Sequence, residues 1–127
     1  MKELTRAEEQ IMQILWRIGK GHVNDILEYF PEPRPAYNTV STIIRILEKK
    51  KVVSHEVIGK SHRYFPLISK REYTRFSMKQ LLKGYFSNSH KQMVSFFTQE
   101  DNLSVKEMEE IKQLLEQHIN AKTNSHE

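Results

Sequence analysis

Pro31, Pro33 and Pro35 stand at alternate positions in the first third of the chain, and no regular helix runs through such a stretch. They separate two apolar-periodic segments and force the N-terminal half into short helices with tight connections. Upstream, Ala7, Ile11, Ile14, Leu15 and Ile18 repeat at helical spacing. Thr5 and Glu8 have the spacing of a capping box, in which each side chain satisfies a free backbone donor of the other, so a first helix starts at Thr5. Gly19 and Gly21 bracket Lys20 and stop it. Val23, Ile26, Leu27 and Phe30 form the stripe of a second, short helix that runs into the prolines.

Beyond the prolines, the apolar face of Val40, Ile43, Ile44 and Leu47 predicts a third helix from about Tyr37 to Lys50. Val52 to Ile58 is rich in β-branched residues and reads as a strand. Gly59-Lys60 makes a turn, and Arg63 to Leu67 returns. Ser69 with Glu72 opens a fourth helix to about Gly84. A fifth covers roughly Ser89 to Gln99. Ser104 with Glu107 opens a sixth to about His118. The fold class is mainly α with a small β-hairpin (α+β): a winged helix-turn-helix domain over residues 1–68, a helical dimerisation arm over 69–118, and a polar, frayed tail over 119–127.

The chain has 127 residues, enough for one compact domain and an appendage. It has no apolar run long enough to span a membrane and no apolar leader behind a basic start, so a cytoplasmic protein without membrane insertion is expected. With no cysteine, disulfides, thiolate metal sites and cysteine nucleophiles are excluded together. The formal net charge is +4, and its placement matters more than its size. Residues 34–67 hold seven cations and two acids, and residues 68–98 six and one, so each stretch is net +5; residues 1–33 are net −2 and 99–127 net −4. A basic middle between acidic ends suits a polyanion partner, although charge alone favours a merely solvated basic surface.

The third helix carries the chemistry. Ser41, Thr42, Arg45 and Lys49 fall within about 60° of Asn38 around an ideal helix, while Val40, Ile43, Ile44 and Leu47 lie about 120° or more away. The polar face holds short hydrogen-bonding side chains near its start, cations farther along, and no acid; Glu48 lies off to the side. An ordinary surface helix exposes mixed glutamates and lysines, whereas a helix entering a major groove needs this arrangement. Asn pairs bidentately with adenine and Arg with guanine. Asn38, Thr39, Ser41, Thr42 and Arg45 are therefore the expected base readers. Lys49, with neighbours Lys50 and Lys51, reaches phosphates. Tyr37 supports the helix start near a phosphate. Lys60, His62 and Arg63, on the small basic hairpin tip with Gly59 and Ser61, hold phosphates as a wing.

The arm is apolar instead. Phe76, Leu81, Tyr85, Phe86, Val94, Phe97, Leu103, Ile111, Leu114 and Leu115 are expected to pair two copies, since so apolar a surface marks an interface and paired winged helices read pseudo-palindromes. Folding back on its own domain is the alternative for the arm. The histidines His22, His55, His62, His90, His118 and His126 show no i, i+4 pair and read as scattered surface residues, so no metal site and no cofactor is expected. Glu107, Glu109, Glu110 and Glu116 read as a solvated face. No phosphate-binding loop, dinucleotide fingerprint or nucleophile elbow is present, and no enzyme is expected.

The stretch Leu4-Thr5-Arg6-Ala7-Glu8-Glu9-Gln10-Ile11-Met12-Gln13-Ile14-Leu15-Trp16 resembles the opening helix of the penicillinase and methicillin-resistance repressors. Thr39 to Lys50 resembles their recognition helix, and Arg63-Tyr64-Phe65-Pro66-Leu67 is similar to the return strand of their wing. Asp101-Asn102-Leu103-Ser104, with Glu107, Glu110, Ile111 and Leu114 behind it, is similar to their last helix. The resemblance covers nearly the whole chain. It implies a homodimeric repressor on a double-stranded, pseudo-palindromic operator, with β-lactam-resistance or related genes as targets. It also implies a membrane sensor protease that cuts the arm and releases the operator. The family's scissile step is Asn–Phe, and the equivalent step here is Phe96-Phe97. A cation commonly stands in that family where this chain has Ser41, and a lysine where it has Asn38. The copper-responsive branch uses a cysteine-rich motif that is absent. Two other readings stay open: a winged-helix module binding an acidic protein, and a regulator with a ligand pocket between arm and domain.

Overall fold

The computed structural model describes residues 1–100 and 103–125; Asp101 and Asn102 of the resemblance, and His126 and Glu127 of the tail, lie outside the described residues. The element order is α1 (Arg6–Ile18), α2 (Val23–Glu28), α3 (Tyr37–Lys49), β1 (Val53–Ile58), β2 (Ser61–Pro66), α4 (Lys70–Phe86), α5 (His90–Glu100) and α6 (Val105–Ser125). Three helices followed by an antiparallel hairpin make the winged helix-turn-helix that the sequence predicts. Two compact units are present, Met1–Gln80 and Leu81–Glu127.

In the first unit the local signals act as read. Thr5 Oγ1 accepts the Glu8 amide at 3.2 Å and Glu8 Oε1 accepts the Thr5 amide at 2.8 Å, which completes the capping box. Gly19, at φ 82°, ends α1 and donates its N–H to the Leu15 carbonyl. Ile11, Met12, Leu15, Ile26, Val40, Ile44 and Leu47 are fully shielded from solvent, so α1, α2 and α3 share one apolar centre. β1 pairs with β2 in the register Val53↔Pro66 to Ile58↔Ser61.

Gly21 does more than stop a helix. It exchanges two backbone hydrogen bonds with Tyr64, at 2.9 and 2.8 Å, and so ties the turn before α2 to the return strand of the wing. A Cβ at Gly21 would lie 2.7 Å from Ile18 Cδ1 and 3.3 Å from Asp25 Cβ. The Ile18 and Asp25 side chains, packed over this turn, leave no room for a Cβ and so favour glycine there.

The expected boundary at residue 68 is corrected: this unit runs on to Gln80. The physical reason is Tyr73, which is buried, stacks at 5.8 Å from Trp16, and accepts the Leu4 amide on its hydroxyl at 3.1 Å. Trp16 Nε1 in turn donates to the Ile68 carbonyl at 2.9 Å. Phe76, expected to face a second copy, is likewise half-buried against this core beside Tyr73. The first turns of α4 therefore complete the winged-helix core instead of starting an arm.

The second unit contains the end of α4, then α5 and α6. Ser87 and Asn88 turn the chain in the left-handed region (φ 50° and 62°), and the Asn88 N–H closes on the Leu82 carbonyl. Ser89 and Ser104 cap the next two helices through the amides of Gln92 and Glu107. No residue of α5 or α6 is buried. Val94, Phe97, Leu103, Met108, Ile111 and Leu115 instead line an open apolar groove between the two helices. Phe86 and Phe96 meet edge to face at 5.7 Å. The frayed tail is also corrected: α6 continues to Ser125, since neither glycine nor proline interrupts residues 105–125. Among the described residues, no helix is long and apolar enough to cross a membrane.

Candidate nucleic-acid interface

Val40, Ile44 and Leu47 root α3 in the core and fix its opposite face outward. Asn38, Thr39, Thr42, Arg45 and Lys49 are exposed, Tyr37 is half exposed at the helix start, and Ser41 is partly covered. Ala36 precedes the helix and offers no side-chain acceptor to its first amides, and no acid stands in its first turn. Those amides and the positive end of the helix dipole are left for solvent or an anion. Thr42 Oγ1 donates to the Asn38 carbonyl at 2.8 Å. Its proton is spent, so its methyl group and lone pair are what it can present to a base.

A polar groove runs between the start of α2, α3 and the wing. It brings Tyr37, Ser41 and Arg45 together with Lys60, Ser61 and His62, and adds His22, Asn24, Asp25 and Tyr64. Five of the residues singled out in the sequence therefore share one surface. Asn38, Thr39, Thr42 and Lys49 do not line this groove and occupy the open face of α3. Burial, joined by the nearby Glu48 carboxylate, pushes the Tyr64 phenol above its ordinary value, so it stays a neutral floor to the groove.

Two of the expected phosphate contacts are differently employed. Arg63 is half-buried and its guanidinium grips Glu56, with Nε donating at 2.7 Å and Nη2 also in contact. Lys20 Nζ reaches the same carboxylate at 3.3 Å. Hydrogen bonds from Arg63 first and Lys20 second hold the Glu56 carboxyl below its usual range. Lys50 is drawn away from the α3 surface to Glu8, at 2.7 Å. Lys49 and Lys51 border a separate groove with Met1, Lys2 and Ile46.

Sequence reasoning missed His22, Asn24, His55 and Glu48. The six histidines are not all scattered: the rings of His55 and His62 stack at 4.1 Å, and His22 Nδ1–H donates to the His62 carbonyl at 2.9 Å. The one available signal was the i, i+3 spacing of His22 and Asp25, whose carboxylate accepts the His22 amide at 2.8 Å and starts α2. Among the described residues, no group of three or more His, Cys, Asp or Glu side chains could hold a metal ion.

A family model described as penicillinase repressor matches residues 4–117. The penicillinase repressor of Bacillus licheniformis is 26% identical over 121 residues, covering 94% of both chains. The methicillin resistance regulatory protein MecI of Mammaliicoccus sciuri is 25% identical over 114 residues, which is 89% of this chain and 93% of that one. A solved structure of the CopR repressor is similar at 30% identity and a TM-score of 0.45, over 54% of this chain and 100% of that chain. The chain belongs to the penicillinase repressor family, a family of transcriptional repressors.

Proposed function

We propose that two copies of this chain bind a pseudo-palindromic operator, with α3 of each copy in a major groove and each wing on the flanking backbone. The observation that carries this reading is the acid-free polar face of α3, seated on fully buried Val40, Ile44 and Leu47. Asn38, Thr39, Ser41, Thr42 and Arg45 are the base readers in this reading. Lys49, Lys60 and His62 hold phosphates, with Tyr37 at the helix start. Arg63 serves the wing through Glu56.

The second copy would sit on the apolar groove of α5 and α6, through Val94, Phe97, Leu103, Ile111, Leu114 and Leu115, with Leu81, Tyr85 and Phe86 beside it. Their exposure supports the pairing: Leu114 and Leu115 are each 52% exposed in the single chain. The relatives' names suggest β-lactam-resistance or related genes as targets. Repression would end when a sensor protease cuts at Phe96-Phe97. That step lies inside α5, so cutting requires α5 to unwind locally. Each separated winged-helix unit then keeps only one set of DNA contacts, and the loss of the linked half-site costs orders of magnitude in affinity.

Selection of bound sequences from a random DNA pool at fixed moderate salt tests the proposal. An enriched inverted repeat with half-sites a helical turn or more apart supports it. Uniform, salt-sensitive binding without enrichment overturns it and favours an acidic protein partner for the basic face.

A further inference from the structure

The wing and the recognition helix are joined by a chain of polar contacts that ends at an exposed imidazole. His55 lies on β1 and His62 on β2, diagonal to each other across the hairpin: His62 pairs with Val57, two residues on from His55, so both side chains share one face. Their rings stack with planes 9° apart. His55 Nδ1–H donates to Glu48 Oε2 at 2.6 Å, so the stack is anchored to the last turns of α3. The backbone of His62 is held separately, by the His22 Nδ1–H bond to its carbonyl. Glu48 is the single acid of α3, and beside a polyanion an outward carboxylate would repel. Its side chain is instead only 26% exposed and turned to His55.

We infer that Glu48 and His55 are positioning residues that hold the His62 imidazole against the DNA backbone, and that operator binding tightens as the pH falls. The inference rests on the DNA reading above. Imidazole is the side chain whose charge changes between about pH 5 and pH 8. As a cation it donates from both ring nitrogens and suits a phosphate. The groups around it are known. Arg45 and Tyr37 line its groove from α3, Tyr64 from β2, His22 and Asp25 from the start of α2, and Lys60 from the turn, while the His55 ring of β1 is stacked on it and carries the Glu48 carboxylate on its far side. Arg45 and Lys60 oppose a further positive charge, whereas Glu48 and Asp25 favour it. Bound DNA adds phosphates to that balance in the complex alone. The complex therefore binds more protons than the free protein, and by linkage its affinity rises on acidification.

The test measures affinity of the full chain for an operator recovered by random-pool selection, at constant salt, from about pH 8 to about pH 6. The expected gain for the natural chain is about two- to fivefold, the size of one exposed charge pair. His62→Phe keeps a ring on the stack but takes up no proton, and its profile is expected to be flat. Glu48→Gln is expected to lose more than half of the gain, although Glu48 touches no DNA. Simple removal of an acid would instead raise affinity by the same factor at every pH. A flat profile for the natural chain, or a full gain in Glu48→Gln, overturns the positioning role while leaving sequence-specific binding intact. A chain that enriches no sequence overturns the DNA reading and this inference together. Thermal unfolding of each variant confirms that it is folded.

Discussion

Glu8, in the first turn of α1, holds the ammonium of Lys50, at the end of α3, at 2.7 Å. The same oxygen, Oε1, accepts the Thr5 amide at 2.8 Å, so one carboxylate starts one helix and anchors another. Its second oxygen, Oε2, is buried without a partner. Burial raises the carboxyl's proton affinity, but hydrogen bonds from Lys50 and Thr5 outweigh it and hold the group below the ordinary carboxylate value. A carboxyl whose folded value is depressed contributes stability above its unfolded value and loses it as the pH falls through the folded value. Glu8→Gln keeps the cap and removes the charge pair. Urea unfolding at neutral pH is expected to show a loss of about 1–3 kcal/mol, the cost of taking one partner from a largely buried hydrogen bond. The difference from the natural chain should shrink below the ordinary carboxylate range, and a difference constant down to strong acid would refute the pairing.

Gly21 sits where two backbones exchange hydrogen bonds. Gly21→Ala would bring a Cβ against Ile18 Cδ1 and Asp25 Cβ. The first is the rotatable end of a side chain and can move; the second sits at the root of α2 and cannot. A destabilisation of about 1–2 kcal/mol is expected, at the lower end of what overpacking costs. The wing should also loosen, read as faster amide exchange at Tyr64 than elsewhere in β2.

The elements of this chain were legible because their signals are local. Thr5 with Glu8, Ser69 with Glu72 and Ser104 with Glu107 each cap a helix across three residues, and the hairpin turn at Gly59-Lys60 lies where its composition places it. The polar face of α3 was legible for the same reason. What sequence could not show are contacts between residues distant in the chain. Tyr73 is 69 positions from Leu4, and Lys50 is 42 from Glu8. A stretch read as arm therefore belongs to the core, and a cation read as a phosphate contact belongs to a carboxylate. Counting lysines near a helix end finds charge but not which charge is free.

Substitutions at Arg45 and Lys49 would separate the proposed base reading from charge. Both are exposed on α3, one beside the wing groove and one beyond it. Arg45→Ala is expected to weaken specific binding by about 1–3 kcal/mol and to relax preference at one base pair. Lys49→Ala should weaken specific and random DNA alike and lower the salt slope by about 1. Equal losses for Arg45→Ala on both kinds of DNA would remove it from the base readers.

In the proposed dimer, pairing through α5 and α6 would set the operator affinity. Ile111 and Leu115, one turn apart, both line the apolar groove, and neither is buried in the single chain. A charge at either position costs the single chain little, because water already reaches it. In a dimer the same charge would be desolvated without a partner. Leu115→Glu is therefore expected to leave the thermal stability of the winged-helix unit nearly unchanged while shifting sedimentation from dimer to monomer. Operator affinity should fall by about 100-fold or more, because the second half-site is no longer reached as an intramolecular step. A Leu115→Glu chain that sediments as a dimer would place the partner surface elsewhere. A monomer that kept full operator affinity would mean that one winged helix alone carries the recognition.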